Sequence, residues 1–295
     1  MKIVSLKKTI IPIFLLALCI CSFIKLEANA AGSYQVTEEN GMLKCTYNGE
    51  EQLEKYIAIK KSGNVYKVVK PCTAGSRIYF FDYMGNGLPY NENHFIKVTY
   101  KDTTASYYSK GGSLQKNKIV GSKEEGYYYV DSTGRKVTSK EIRQAVKFVR
   151  AHTKSEWSKS KKLKVCYKYL WKHYTYKRFY DKPKASKMSG YARYMFSKKK
   201  GNCFRYAAAF ACVARVLGYD SRVACGSISR VGGGMTPHGW TEIKVSGKWY
   251  MCDANMQRSW PKINSYMVTS KGYAFAHTCQ KRYKLTVKNG RVSWK

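Results

Sequence analysis

Three residue types that together can carry out acyl transfer follow one another in the C-terminal half of this 295-residue sequence: Cys203, His238 and Asp253. A thiolate attacks a carbonyl carbon, an imidazole moves the protons, and a carboxylate holds the imidazole in the tautomer that can do so. Asn202 stands directly before Cys203 as a good helix N-cap. The free N–H groups and the macrodipole of a helix start stabilise an anion, and the thiolate is the reactive form of a cysteine.

The elements around these residues must bring them together. Phe204, Ala207, Ala208, Ala211 and Ala214 recur at helical spacing and Gly218 closes the segment, so Cys203 falls in the first turn of a helix. Strand-like runs follow at 221–227, 239–245 and 248–253, with Ser246-Gly247 as a tight turn between the last two. That hairpin runs 239–245 back along 248–254 and places Asp253 beside His238. Gly232-Gly233-Gly234 and Pro237 form a flexible approach that lets His238 reach over the helix start.

Upstream, Thr138-x-x-Glu141 has capping-box form, and Ile142, Ala145, Val146 and Val149 follow at helical spacing. A second helix carries Leu163, Cys166, Tyr167, Leu170, Trp171 and Tyr174 on one face, which makes Cys166 a packing residue. Short β-branched and aromatic runs at 56–60, 65–69, 77–81 and 95–100 make residues 31–125 strand-rich. The segment 126–134 resembles one unit of the aromatic-glycine repeats of wall-binding modules, and as a single copy it reads as an ordinary hairpin. Another hairpin is expected at 284–294, around Asn289-Gly290. The fold class is α+β, with helices packed on one side of an antiparallel sheet. The domain reading is an export signal over 1–30, a β-rich N-terminal region over 31–137 and a catalytic domain over 138–295.

Gly201-Asn202-Cys203 on a helix, Gly226 ending a strand, His238-Gly239-Trp240 on the next and Trp249-Tyr250-x-x-Asp253 on the third resemble the core of the transglutaminase-like superfamily, across residues 138–260. The resemblance implies a papain-like Cys-His-Asp core. Cys203 would form a thioester with a carboxamide or peptide carbonyl, His238 would serve as base and then as acid, and Asp253 would orient it. The Cys203 N–H would be one oxyanion donor. The motif does not identify the second; Tyr191, Tyr194 and Trp171 stand upstream as candidates, each better suited to the core, whereas Trp240 and Trp249 read as sheet packing. Ala254-Asn255-Met256-Gln257 departs from the Pro or Thr often found after the aspartate. No acidic calcium loop is visible and zinc-type cysteine pairs are lacking after residue 30, so no cofactor and no metal are expected.

The bulk composition sets the context. Lys2, Lys7 and Lys8, the apolar run from Ile10 to Ile24 and Ala28-Asn29-Ala30 read as a cleavable export signal, leaving no stable membrane insertion. A formal net charge of +36 attracts polyanions. With no nucleic-acid-binding motif among the lysines, the charge reads as solubility with loose retention at an anionic surface, for which cell-wall polymers, anionic lipid surfaces and acidic glycans are the candidates beside a protein or peptide substrate. Of the cysteines that remain after the signal, Cys45 and Cys72 are the pair most suited to a disulfide, since both fall in the strand-rich segment. The functional expectation is a secreted or wall-associated peptidase or amidase. Two alternatives stay open: a Gln–Lys cross-linking transglutaminase and a non-catalytic wall-binding protein.

Overall fold

The computed structural model describes residues 32–295, so the expected export signal lies outside the described residues. Alternating apolar residues build a ten-stranded sheet in the first third. Its strands are β1 (Tyr34–Glu39), β2 (Met42–Tyr47), β3 (Glu50–Glu51), β4 (Lys55–Ser62) and β5 (Val65–Val68). They continue with β6 (Arg77–Phe81), β7 (Gly87–Pro89), β8 (Phe95–Tyr100), β9 (Thr103–Lys110) and β10 (Ser113–Leu114). The order is β1-β2-β7-β6-β4-β8-β9-β10, with β3 on β2 and β5 on β4. Strand β4 is covered on both faces. Ile57 and Ile59 pack with Leu43, Cys45 and Phe81, while Ala58 between them packs with Ile78, Ile96 and Val98.

This two-faced packing does not bring together Cys45 and Cys72, the pair singled out among connectivities the sequence leaves open. Cys45 is buried in the first cluster and Cys72 packs against the second, and both thiols are free. A disulfide needs Cβ vectors that point toward each other, which side chains packed on opposite faces of one sheet do not offer.

The hairpin β11 (Lys118–Ser122)–β12 (Gly126–Val130) leads into the second half. Tyr129 of β12 belongs to the main core together with the helices. Helix α1 (Lys140–His152) follows, then α2 (Lys159–His173), β13 (Thr175–Tyr176), α3 (Ala185–Lys198), β14 (Lys200–Gly201) and α4 (Cys203–Val216). The capping box expected at Thr138 is absent. Ser139 is the N-cap without a side-chain bond, and Glu141 instead accepts from Ser189 Oγ and Arg193 Nη1 on α3. Tertiary partners for Glu141 outcompete the local cap.

The remaining strands are β15 (Asp220–Ser229), β16 (Met235–Val245), β17 (Lys248–Cys252), β18 (Tyr266–Val268), β19 (His277–Lys288) and β20 (Arg291–Trp294), with the short α5 (Ala254–Ser259) after β17. They form an antiparallel sheet in the order β18-β17-β16-β15-β19-β20. Helix α4 is buried along almost its whole length. Its alanines bring the sheet close enough for Thr241 Oγ1 to donate to Ala207 O (2.9 Å) and Ser221 Oγ to Ala211 O (2.8 Å). The fold is therefore α+β, with helices packed on an antiparallel sheet and a β-rich region before them, as its residues led us to expect.

Candidate active site

Cys203 is the first residue of α4, and Asn202 caps the helix by accepting from the Arg205 N–H. Arg205 ties this start down. Its guanidinium donates to Asp181 Oδ1 and Asn202 Oδ1, both at 3.1 Å, and lies 3.5 Å from the centroid of the Phe179 ring. Upstream, β14 pairs in parallel with β13, Tyr176 opposite Gly201, so a two-residue ribbon fixes the entry to Cys203.

His238 comes from β16. It lies opposite Gly226 of β15, where a side chain would strike the backbone oxygen of Thr278. A Cβ on the next residue, Gly239, would sit 2.5 Å from Phe204 Cδ1. Only a glycine lets the histidine strand pack this closely on the turn that carries the cysteine. Ser246 and Gly247 both take positive φ, as a tight hairpin turn requires. The hairpin pairs Thr241 with Cys252 and Val245 with Lys248, so Asp253 leaves β17 alongside His238.

The imidazole Nε2 and Asp253 Oδ2 are 2.6 Å apart, and both side chains are almost fully buried. Asp253 Oδ2 also accepts from Tyr273 Oη (2.7 Å), and Oδ1 accepts from the Met256 N–H (2.9 Å) as the cap of α5. Burial opposes ionisation of this carboxyl. The His238 charge and these hydrogen bonds outweigh it and hold Asp253 below the ordinary carboxylate range. Burial likewise works against a charged His238. The charges of Asp253 and Cys203, with the hydrogen bond to Asp253, overcome it and raise the imidazole well above its usual value. Because Nε2 is turned to Asp253, Nδ1 is left for the thiol.

Cys203 and His238 open into one cleft of about 470 Å³. Tyr176, Arg178 and Arg230 add polar groups to it, and Asn255, Met256, Ser259 and Trp260 bring in the segment after Asp253. The departure at Ala254–Gln257 is thus a short helix that forms one side of the cleft. Its end is fixed by Gln257, which bonds Ser265 N–H and Pro261 O.

The upstream aromatics follow the core reading and not the donor one. Tyr191, Tyr194 and Trp171 do not line the cleft. Tyr191 is buried and donates to Lys182 O, and Tyr194 packs edge-on against Phe179. Tyr176 lines the cleft instead. Burial, and after it the charge of a Cys203 thiolate, push its phenol up. Trp240 does pack the sheet, among Ala224, Ile228, Met251 and Tyr273, with its ring stacked 6.4 Å from that of His238. Two polar residues, Tyr176 and Tyr273, escaped sequence reasoning. The Tyr174-x-Tyr176 alternation after α2 was a usable signal for the first. Tyr273 had none, since nothing periodic links it to Asp253 across 20 residues.

Residues 146–254 match the profile of the Transglutaminase-like superfamily, a span that contains all three side chains. Two solved structures are similar over part of their length. One is described as a TGase (18% identity, 44% of this chain and 35% of that one, TM-score 0.31). The other is described as a candidate cysteine protease from Cytophaga hutchinsonii (12% identity, 50% of each chain, TM-score 0.33). The chain thus spans half or less of each. No curated protein matches it.

Proposed function

We propose that this chain is an exported acyl-transfer enzyme that hydrolyses peptide or amide bonds through a thioester on Cys203. The observation that carries the reading is the buried His238–Asp253 pair, 2.6 Å apart, set behind a cysteine at a helix start in a shared cleft. In the first half-reaction His238 Nδ1 takes the thiol proton and the thiolate attacks the carbonyl carbon. The developing oxyanion meets the Cys203 N–H, which has no acceptor within its helix. Tyr176, which lines the cleft, is our assignment for the second donor. The imidazolium then protonates the leaving nitrogen as the C–N bond breaks, and an amine departs.

In the second half-reaction His238 removes a proton from water, which attacks the thioester carbonyl. The acid leaves and the thiol is restored. Asp253 keeps the ring in place through both halves and offsets its charge. The exposed Trp260 and Val231 at the cleft edge, with Arg178 and Arg230, suit a polypeptide substrate that carries apolar and acidic side chains. The N-terminal export pattern and the +36 charge support action outside the membrane, near anionic wall polymers.

Hydrolysis and cross-linking share the acyl-enzyme and differ in what resolves it. Incubating a protein substrate with a labelled primary amine separates them. The hydrolytic reading predicts fragments without label, absent with Cys203→Ala. Label incorporation without cleavage would replace it with a transferase.

A further inference from the structure

A second concave surface lies at the other end of α4. Three clefts meet there around the β11–β12 hairpin. The first, about 870 Å³, lies between the hairpin and α1 and is lined by Lys123, Lys140, Arg143, Lys147 and Arg150. The four α1 residues recur at spacings of three and four, so they form one charged stripe about 15 Å long. The second cleft, about 370 Å³, shares Tyr127 and Arg150 with the first and adds Lys118, Lys154, Lys159 and Lys162. The third, about 610 Å³, shares Asn117 with the second and adds Arg215, Lys244, Lys284 and Lys288. Together these are ten lysines and three arginines against a single lining carboxylate, Asp220, which is already paired to Arg215 at 2.8 Å.

We infer that this cationic track binds a linear polyol-phosphate polymer and moors the enzyme to an anionic matrix. The inference deepens the wall-polymer part of the proposed function and rests on it. The three clefts are separate concavities that share lining residues, which suits a flexible chain better than a flat lipid surface. The aromatic rings of the hairpin are already engaged by cations: Arg150 lies 3.8 Å from the Tyr127 centroid, and Lys136 3.8 Å from that of Tyr128. Stacking of nucleic-acid bases is therefore not what the track offers. Lysine outnumbers arginine, and its ammonium pairs with phosphate as a point charge that demands no fixed geometry, which suits a flexible polyanion.

The hairpin is also held firmly. Asp131 at its end accepts from Thr133 and Arg135 N–H through Oδ1 and from Gly290 N–H through Oδ2 (2.7 Å). The track passes Val216, Leu217 and Gly218 at the C-terminal end of α4, about 20 Å along the helix from Cys203. A polymer held there leaves the active cleft free.

The test measures binding of the purified chain to linear poly(glycerol phosphate) across a salt series. One substitution per cleft, Lys147→Glu, Lys154→Glu and Lys288→Glu together, should weaken binding at least tenfold and flatten the log-log salt slope by about two. An equally charged control, Lys60→Glu, Lys70→Glu and Lys97→Glu on the N-terminal sheet, should lose less than threefold. Gln at the same three track positions should give an intermediate loss, and this holds the conclusion even if the Glu variant folds poorly. Equal losses in track and control variants would overturn the inference. So would equally tight binding of single-stranded DNA or anionic phosphatidylglycerol vesicles. Cys203→Ala should bind as wild type does, so failure of the mooring and failure of the chemistry are read separately.

Discussion

The protonation of His238 decides what Cys203 can do. The negative charge of Asp253 favours the imidazolium, so His238 keeps its proton where an ordinary histidine has lost it. Expulsion of the amine needs that proton, and the alkaline limb of kcat/KM should therefore lie above neutral pH. Asp253→Asn removes the charge and should move this limb downward by about one to three pH units, with kcat falling on the order of 10⁴-fold. Pre-steady-state acylation measured against pH checks both. Tyr176→Phe should lower kcat on the order of 10²-fold with KM little changed, the pattern of a donor engaged in the transition state. A rise in KM at constant kcat would make it a substrate contact instead. At this scale the three central residues were legible because each has a local signature: a cap, a glycine-rich approach and a hairpin end. Tyr273 was not, because its place beside Asp253 depends on how the 260–276 loop folds back.

Elements deliver these side chains, and the tightest joint is between α4 and β16. Gly239→Ala would drive a methyl into Phe204 and should cost about 1–3 kcal/mol of stability, seen as a lower denaturant midpoint. Adding Phe204→Leu should recover part of that loss, and a strictly additive double variant would disprove the contact. The Ser246-Gly247 turn made the register of this hairpin readable in advance, since the turn type fixes the pairing. Helix α3 went unread although Met188, Tyr191, Ala192 and Met195 carry its period. The capping-box pattern at Thr138 misled for the converse reason. Local chemistry proposes a cap, and Glu141 finds better partners on α3.

Across the whole molecule, the split into a strand-rich first part and a helix-rich second part was visible in the change of hydrophobic period. The sheet order was not. Strand β4 pairs in parallel with β8 across intervening hairpins, and no local pattern encodes that. This same topology parts Cys45 from Cys72. All eight thiols from Cys45 onward should be alkylated after denaturation without reductant, a count read by intact mass. A chain that takes up six labels until reduced would restore a disulfide.

The account rests on a covalent bond to one sulfur. The most direct measurement is rapid acid quenching of the enzyme with a peptide substrate, followed by mass analysis of the fragment that contains residue 203. We predict an acyl adduct on Cys203 that decays as free acid appears and that is absent in Cys203→Ser. Turnover without any adduct there, or undiminished turnover by Cys203→Ala, would contradict it.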